Sequence, residues 1–182
     1  MAIALLLPIF LSSFAVAASF KPYQPHPMPV WPQTWPDVAA VADVNGDGRR
    51  DAIVATTMAQ QGVNPDNDWR LYLFLQTQSG ALASPVRVSY TTLDEEGDQS
   101  RGFRQATGIA AADLNADGIG DIVVGRRAGL SILYGTRSGA FAVQRVQNTT
   151  GASSGGAIVI LDVNADGRLD IATPNETGGD AK

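Results

Sequence analysis

The chain has 182 residues, 13 Lys and Arg against 18 Asp and Glu, a formal net charge of −5 and no cysteine, which is enough for one ordinary domain. That balance leaves no basic stripe to neutralise phosphates and excludes a nucleic-acid partner. The single histidine, His26, lies near the N-terminus, so neither a Cys-His nor a Ser-His-Asp arrangement can be built.

An apolar run from Ala2 to Phe20 opens the chain and carries Ala15-Val16-Ala17 near its end. This small-x-small pattern predicts a signal peptide over 1–18, cleaved after Ala17 or Ala18. No Lys or Arg precedes Lys21, and the run is just long enough to span a bilayer. A retained anchor therefore stays open as the alternative; after cleavage no membrane span is expected. Export places the product outside the cytosol, secreted, periplasmic or at the cell surface.

Six of the ten prolines fall between Pro22 and Pro36, so 19–37 reads as an extended, polyproline-like linker and not as a strand or helix. Trp31, Trp35 and His26 sit in or beside it. Because a tryptophan buries a large apolar area, these rings are expected to pin the linker onto the first repeat, with stacking on a sugar or peptide as the alternative.

From Val38 onward the chain repeats itself. The first unit, 38–105, offers strands Val38–Ala42, Ala52–Thr57, Leu71–Gln76 and Val86–Tyr90. Leu71, Leu73 and Leu75 alternate with Tyr72 and Phe74, so both faces of that strand are expected to be buried. The second unit, 106–150, offers Gly108–Ala112, Ile122–Gly125, Leu130–Tyr134 and Phe141–Val146. A third, 151–175, offers only Ala157–Leu161 and Ile171–Thr173 before a tail, 176–182.

Between the first two strands of each unit stands Asp-x-Asn-x-Asp-Gly-x-x-Asp. Loop one is Asp43-Asn45-Asp47-Gly48-Asp51, loop two Asp113-Asn115-Asp117-Gly118-Asp121 and loop three Asp162-Asn164-Asp166-Gly167-Asp170; nine of the 18 acidic residues belong to them. Positions one, three, five and nine carry side-chain oxygens. The glycine at six permits a sharp bend, which frees the position-seven carbonyl of Arg49, Ile119 or Arg168 to supply a further oxygen. Oxygen-only ligands in flexible geometry suit Ca²⁺, which takes about six to eight of them, better than Mg²⁺, which holds to an octahedron and its waters. A polar Asx turn between strands is the alternative, since the same residues favour it. However, clustered carboxylates repel one another unless a cation is present, and a turn needs only one of them. An EF-hand is excluded: its acidic position twelve is Val54, Val124 or Thr173 here, and the residues after each loop are strand-forming.

A loop of this kind between strands one and two of a repeating four-stranded unit resembles the FG-GAP/VCBS repeat, also seen in the integrin α-subunit propeller, over roughly Val38 to Asn175. The resemblance implies an all-β chain of four-stranded β-propeller blades with calcium loops, and ligation by Asp43, Asn45, Asp47 and Asp51 and their counterparts. Tyr134-Gly135 stands in for the family's Phe-Gly signature and Gly139-Ala140-Phe141 for its Gly-Ala-Pro. The loops lie 70 and 49 residues apart, a spacing suited to blades. Counted that way, the chain holds about two and a half blades, a partial propeller. Blades bury their faces against neighbours, so self-association through the incomplete ones is expected, either as an ordered assembly or as the aggregation of a truncated remnant.

In such a blade the one-two connections share one face, and the two-three and inter-blade connections share the other. The long segments Met58–Arg70 and Thr91–Gln105 should therefore emerge opposite the calcium loops, the face that binds ligands in the resembling integrins. Long loops in a compact repeat favour function over idleness; the alternative is a pair of hydrated loops. Trp69, Arg101, Phe103 and Arg104 are the candidate contacts for an unidentified protein or glycan ligand. The acids Asp94 to Asp98 lack an apolar pocket to hold one of them protonated, which argues against an enzyme. The expected function is a secreted, calcium-binding adhesion or binding module, and the alternative is an accessory or truncated domain of a secreted polysaccharide-active enzyme.

Overall fold

The computed structural model describes residues 25–28, 34–58, 70–90, 106–126, 129–147, 153–154 and 156–176. The leader, most of the linker, nearly all of the two long connections with Trp69, Arg101, Phe103 and Arg104, and the last six residues lie outside this set. Among the described residues there is no α-helix, and no helix long and apolar enough to cross a membrane.

The β-branched and aromatic runs form strands, as their fit to a pleated, buried surface requires. β1 (Thr34–Ala42), β2 (Asp51–Met58), β3 (Arg70–Phe74) and β4 (Val86–Ser89) make one antiparallel sheet in chain order. β5 (Ala106–Ala112), β6 (Asp121–Arg126), β7 (Gly129–Gly135) and β8 (Phe141–Gln147) make a second of the same order. In the third repeat β10 (Val159–Leu161) pairs with β11 (Asp170–Ala172). Beyond that pair, β9 (Ser153–Ser154) joins β12 (Asn175–Glu176).

Most strand ends fall within two residues of the sequence expectation, and two differences at the chain's ends are larger. β1 starts at Thr34, inside the segment read as linker, and the register slips between Pro36 and Val38. Proline has no N–H for the ladder, so strand pairing survives it only through such an irregularity. The second sheet slips at the matching place, between Ala106 and Gly108. In the third repeat the same site is a full break between β9 and β10, where Ser154 faces Asn175 and Val159 faces Ala172. The tail is correspondingly shorter, because Glu176 pairs with Ser153.

The core lies between the two four-stranded sheets. Ile53, Ala55, Leu71 and Leu73 from the first meet Ile122, Val124 and Leu133 from the second, with Val44, Tyr90 and Ala106 closing its ends. β1 packs on β5, and β5 on β10, so the first strand of each repeat is its contact with the next. The far face of the first sheet is not bare: Tyr72 and Phe74 are buried there, and the His26 ring meets Phe74 edge-on at 6.3 Å between centroids. The Pro-rich segment thus meets the first sheet through its histidine ring as well as through the start of β1; the side chains of Trp31 and Trp35 lie outside the described residues.

Candidate functional site

All three Asp-x-Asn-x-Asp-Gly-x-x-Asp loops join strands one and two of their repeats, and their hydrogen bonding is nearly the same three times over. Oδ1 of the position-one aspartate accepts the position-five amide, at 3.1 Å for Asp43, 3.0 Å for Asp113 and 3.1 Å for Asp162. Its Oδ2 accepts the position-six glycine amide at 2.6, 2.8 and 2.8 Å. Position three bonds the same position-five amide through its Oδ1, at 3.1, 3.1 and 3.0 Å for Asn45, Asn115 and Asn164. Asp47, Asp117 and Asp166 in turn accept the position-seven amide, each at 2.9 Å.

Tight coiling forces left-handed backbone at positions four and six. Gly48, Gly118 and Gly167 sit at φ 82°, 84° and 84°, and position four is Gly46 at φ 71° but Ala116 and Ala165 at φ 59°. Glycine is at home in that region, whereas an alanine there is strained by about 1–2 kcal/mol.

The position-nine aspartate behaves differently from its neighbours. Asp51 and Asp121 are both 0% exposed. Asp51 accepts the Val44 amide at 3.1 Å and, across the sheet, the Gln76 amide at 2.7 Å. Asp121 accepts those of Leu114 and Gly135, each at 2.9 Å. Each carboxylate thus ties its loop to the end of strand three. Burial pushes the Asp121 carboxyl up from the ordinary aspartate value; the Gly135 and Leu114 amides oppose this, and the charges of Asp117 and Asp113 add to it. Asp170 accepts the Val163 amide at 3.0 Å, and no third strand follows it among the described residues.

Loop one carries its own cation. The Arg49 guanidinium pairs with Asp47 through Nη2 and donates from Nε to the Gln76 carbonyl at 2.8 Å. Burial would raise the Asp47 carboxyl, yet the Arg49 amide, the Asn45 side chain and the guanidinium hold it below its ordinary value.

Among the described residues, no three acidic, histidine or cysteine side chains converge as a metal-holding group. The donor chemistry nonetheless fits a hard cation. Every donor is an oxygen, a carboxylate has about four lone-pair positions, and Asp113 and Asp162 each spend two of theirs on the loop amides. In loop one a guanidinium already stands where positive charge is favoured.

The position-nine tie could not be read from spacing alone, and neither could its partners. Gln76 and Gly135 precede matching turns, Thr77-Gln78-Ser79-Gly80-Ala81 and Thr136-Arg137-Ser138-Gly139-Ala140. In each, the threonine Oγ1 meets the serine Oγ and donates to the alanine carbonyl, all at 2.9 Å. The recurrence of Thr-x-Ser-Gly-Ala was the available signal. Gly135, the glycine of the Phe-Gly-like pair, is placed by the fold as the amide donor to Asp121.

Loops one and two also touch. The Gly120 amide donates to the Asp43 carbonyl at 2.7 Å, and a Cβ on Gly120 would lie 2.6 Å from that oxygen. Ile119, 3% exposed, fills the space beside it, so that a Cβ on Gly46 would come within 3.2 Å of its Cγ1.

The chain is similar to integrin alpha pat-2 of Caenorhabditis briggsae, 27% identical over 168 residues, an alignment that covers 78% of this chain and 13% of that protein. It therefore spans a small fraction of that relative's length. The FG-GAP-like repeat profile matches residues 43–124 and 113–173. Those spans take in all three loops and most of the strands around them, and the chain belongs to the FG-GAP-like repeat family.

Proposed function

We propose that this chain is an extracellular adhesion or ligand-binding module built from β-propeller blades, about two and a half of them, and stapled by structural calcium. What carries the proposal is the threefold recurrence of one oxygen-lined loop at the same edge of each repeat, in a chain of this family. Calcium would be held by Asp43, Asn45, Asp47, the Arg49 carbonyl and Asp51, by Asp113, Asn115, Asp117, the Ile119 carbonyl and Asp121, and by Asp162, Asn164, Asp166, the Arg168 carbonyl and Asp170. When bound, the metal supplies positive charge that offsets carboxylate repulsion, and the protein's own groups fix the loop around it. The signal-peptide pattern read over 1–18 and the similarity to an integrin alpha support an extracellular place, where calcium reaches the about 10⁻⁴ to 10⁻³ M at which such modules work.

Ligand recognition falls to the connections at the opposite ends of the strands, 58–70 and 91–105, with Trp69, Arg101, Phe103 and Arg104 as contacts. An unidentified protein or glycan is the partner, and no step of this role requires catalysis. The test is a thermal melt of the mature chain in calcium and in excess chelator. With a Kd of about 0.1 mM per site, 1 mM calcium adds about 1.4 kcal/mol per loop and about 4 in all, a large share of the about 5–15 kcal/mol that holds a typical domain. A melt indifferent to chelator overturns the structural role of the metal. For the recognition face, deletions within 59–69 or 92–104 should spare the melt and abolish capture by glycan or protein arrays. Retained capture overturns that assignment.

A further inference from the structure

The three loops share one pattern but differ at position seven, which is Arg49 in loop one, Ile119 in loop two and Arg168 in loop three. In loop one the arginine is held at both ends. Its Nε donates to the Gln76 carbonyl at 2.8 Å, and its Nη2 pairs with Asp47 Oδ2. Gln76 is itself fixed, since its amide donates to the buried Asp51 at 2.7 Å. The guanidinium is therefore delivered to the position-five carboxylate by the strand-three end, with little freedom left to lose on pairing.

Among the described residues, loop two has nothing comparable. Ile119 is buried against the first repeat, and Asp117 Oδ2 accepts the neutral Asn115 amide at 3.0 Å, as Asp47 Oδ2 accepts that of Asn45 at 2.9 Å, but without the guanidinium that Asp47 has beside it. Loop three has an arginine, but among the described residues no third strand follows to offer the matching carbonyl. Its Asp166 Oδ2 likewise accepts the Asn164 amide, at 3.0 Å.

We propose that Arg49 is a tethered counter-ion that weakens calcium binding at loop one, so that loop two fills before it. The inference rests on the three loops being calcium sites. Net ligand charge sets the affinity of such sites, and a metal entering loop one must displace the guanidinium from Asp47 and then sit beside it. The pair is half-exposed and contributes little by itself. Repulsion between a divalent ion and a unit charge a few Å away in high dielectric brings the combined effect to on the order of ten-fold in affinity. The same contact holds loop one in shape without metal.

The experiment is calcium titration calorimetry on the full chain, wild type against Arg49→Gln, Arg49→Lys and Asp117→Asn, with chelated melts of each. The wild type should show a tight class that Asp117→Asn reduces by one site. Arg49→Gln should strengthen a weaker class on the order of ten-fold while lowering the melting temperature in chelator, and Arg49→Lys, which keeps the charge, should keep that class weak. Calcium affinities unchanged or weakened in Arg49→Gln overturn the counter-ion role and leave the calcium sites standing. A tight class whose number of sites Asp117→Asn leaves unchanged overturns the filling order even if Arg49→Gln fails to fold. No calcium binding to the wild type overturns the calcium sites and this inference together.

Discussion

An aspartate buried at position nine does structural work that needs no metal. Asp51 and Asp121 each satisfy two backbone amides, and a buried donor left unsatisfied costs about 1–3 kcal/mol. Asp51→Ala and Asp121→Ala should therefore each lose about 2–4 kcal/mol even in chelator. Asp170→Ala, with one described amide partner at 3.0 Å, should lose about 1 kcal/mol or less. Urea titrations in chelator check the ranking, and equal losses at the three positions would contradict the tie to strand three. Position four offers the opposite change. Ala116, at φ 59°, carries left-handed strain that glycine relieves, and glycine's greater freedom in the unfolded chain offsets about half of the gain. Ala116→Gly should raise stability by about 0.5–1 kcal/mol, read from the shift in urea midpoint, and a loss of stability would refute the strain.

Between the sheets, the close approach of loop two to loop one sets the tolerance. A Cβ on Gly120 would press on the Asp43 carbonyl, a backbone atom with no flexible end to move aside. Gly120→Ala should push the sheets apart and break the Gly120–Asp43 hydrogen bond, costing about 2–4 kcal/mol; a denaturant midpoint within experimental scatter of the wild type would contradict the packing. Much at this scale was legible in the residues. The alternation of Leu71, Tyr72, Leu73 and Phe74 marks a strand buried on both faces, and all four are buried. Asp-x-Asn-x-Asp-Gly between β-branched runs locates the connection of the first two strands each time. The start of β1 was hidden because prolines argue against strand, and a register slip that rescues pairing leaves no mark in composition. Ser153-Ser154 and Asn175-Glu176 are too short and too polar to show a period. At the loops, residue type and spacing name the oxygens but not what each one faces: a carboxylate that turns to a metal and one that turns to amides are written with the same letter.

At the scale of the molecule, the third repeat is the least covered among the described residues. Burial at loop position two falls along the chain, from Val44 at 1% exposed, through a half-buried Leu114, to Val163 at 65%. Val159, Leu161 and Leu169 are exposed around it. Apolar side chains gathered beside a two-stranded sheet are an association surface. In millimolar calcium the mature chain should scatter light as larger species, and Leu161→Asp with Val163→Asp should restore a monomer without lowering its melting temperature. A monodisperse wild type would contradict this. The Gly120 amide, meanwhile, is a hydrogen-exchange reporter placed at a joint. Its acceptor belongs to the neighbouring repeat, so the proton can leave only when the two sheets part. Its protection measures the coupling free energy between repeats at one residue. Comparison with amides in β3 then tells whether the repeats open one at a time or only together.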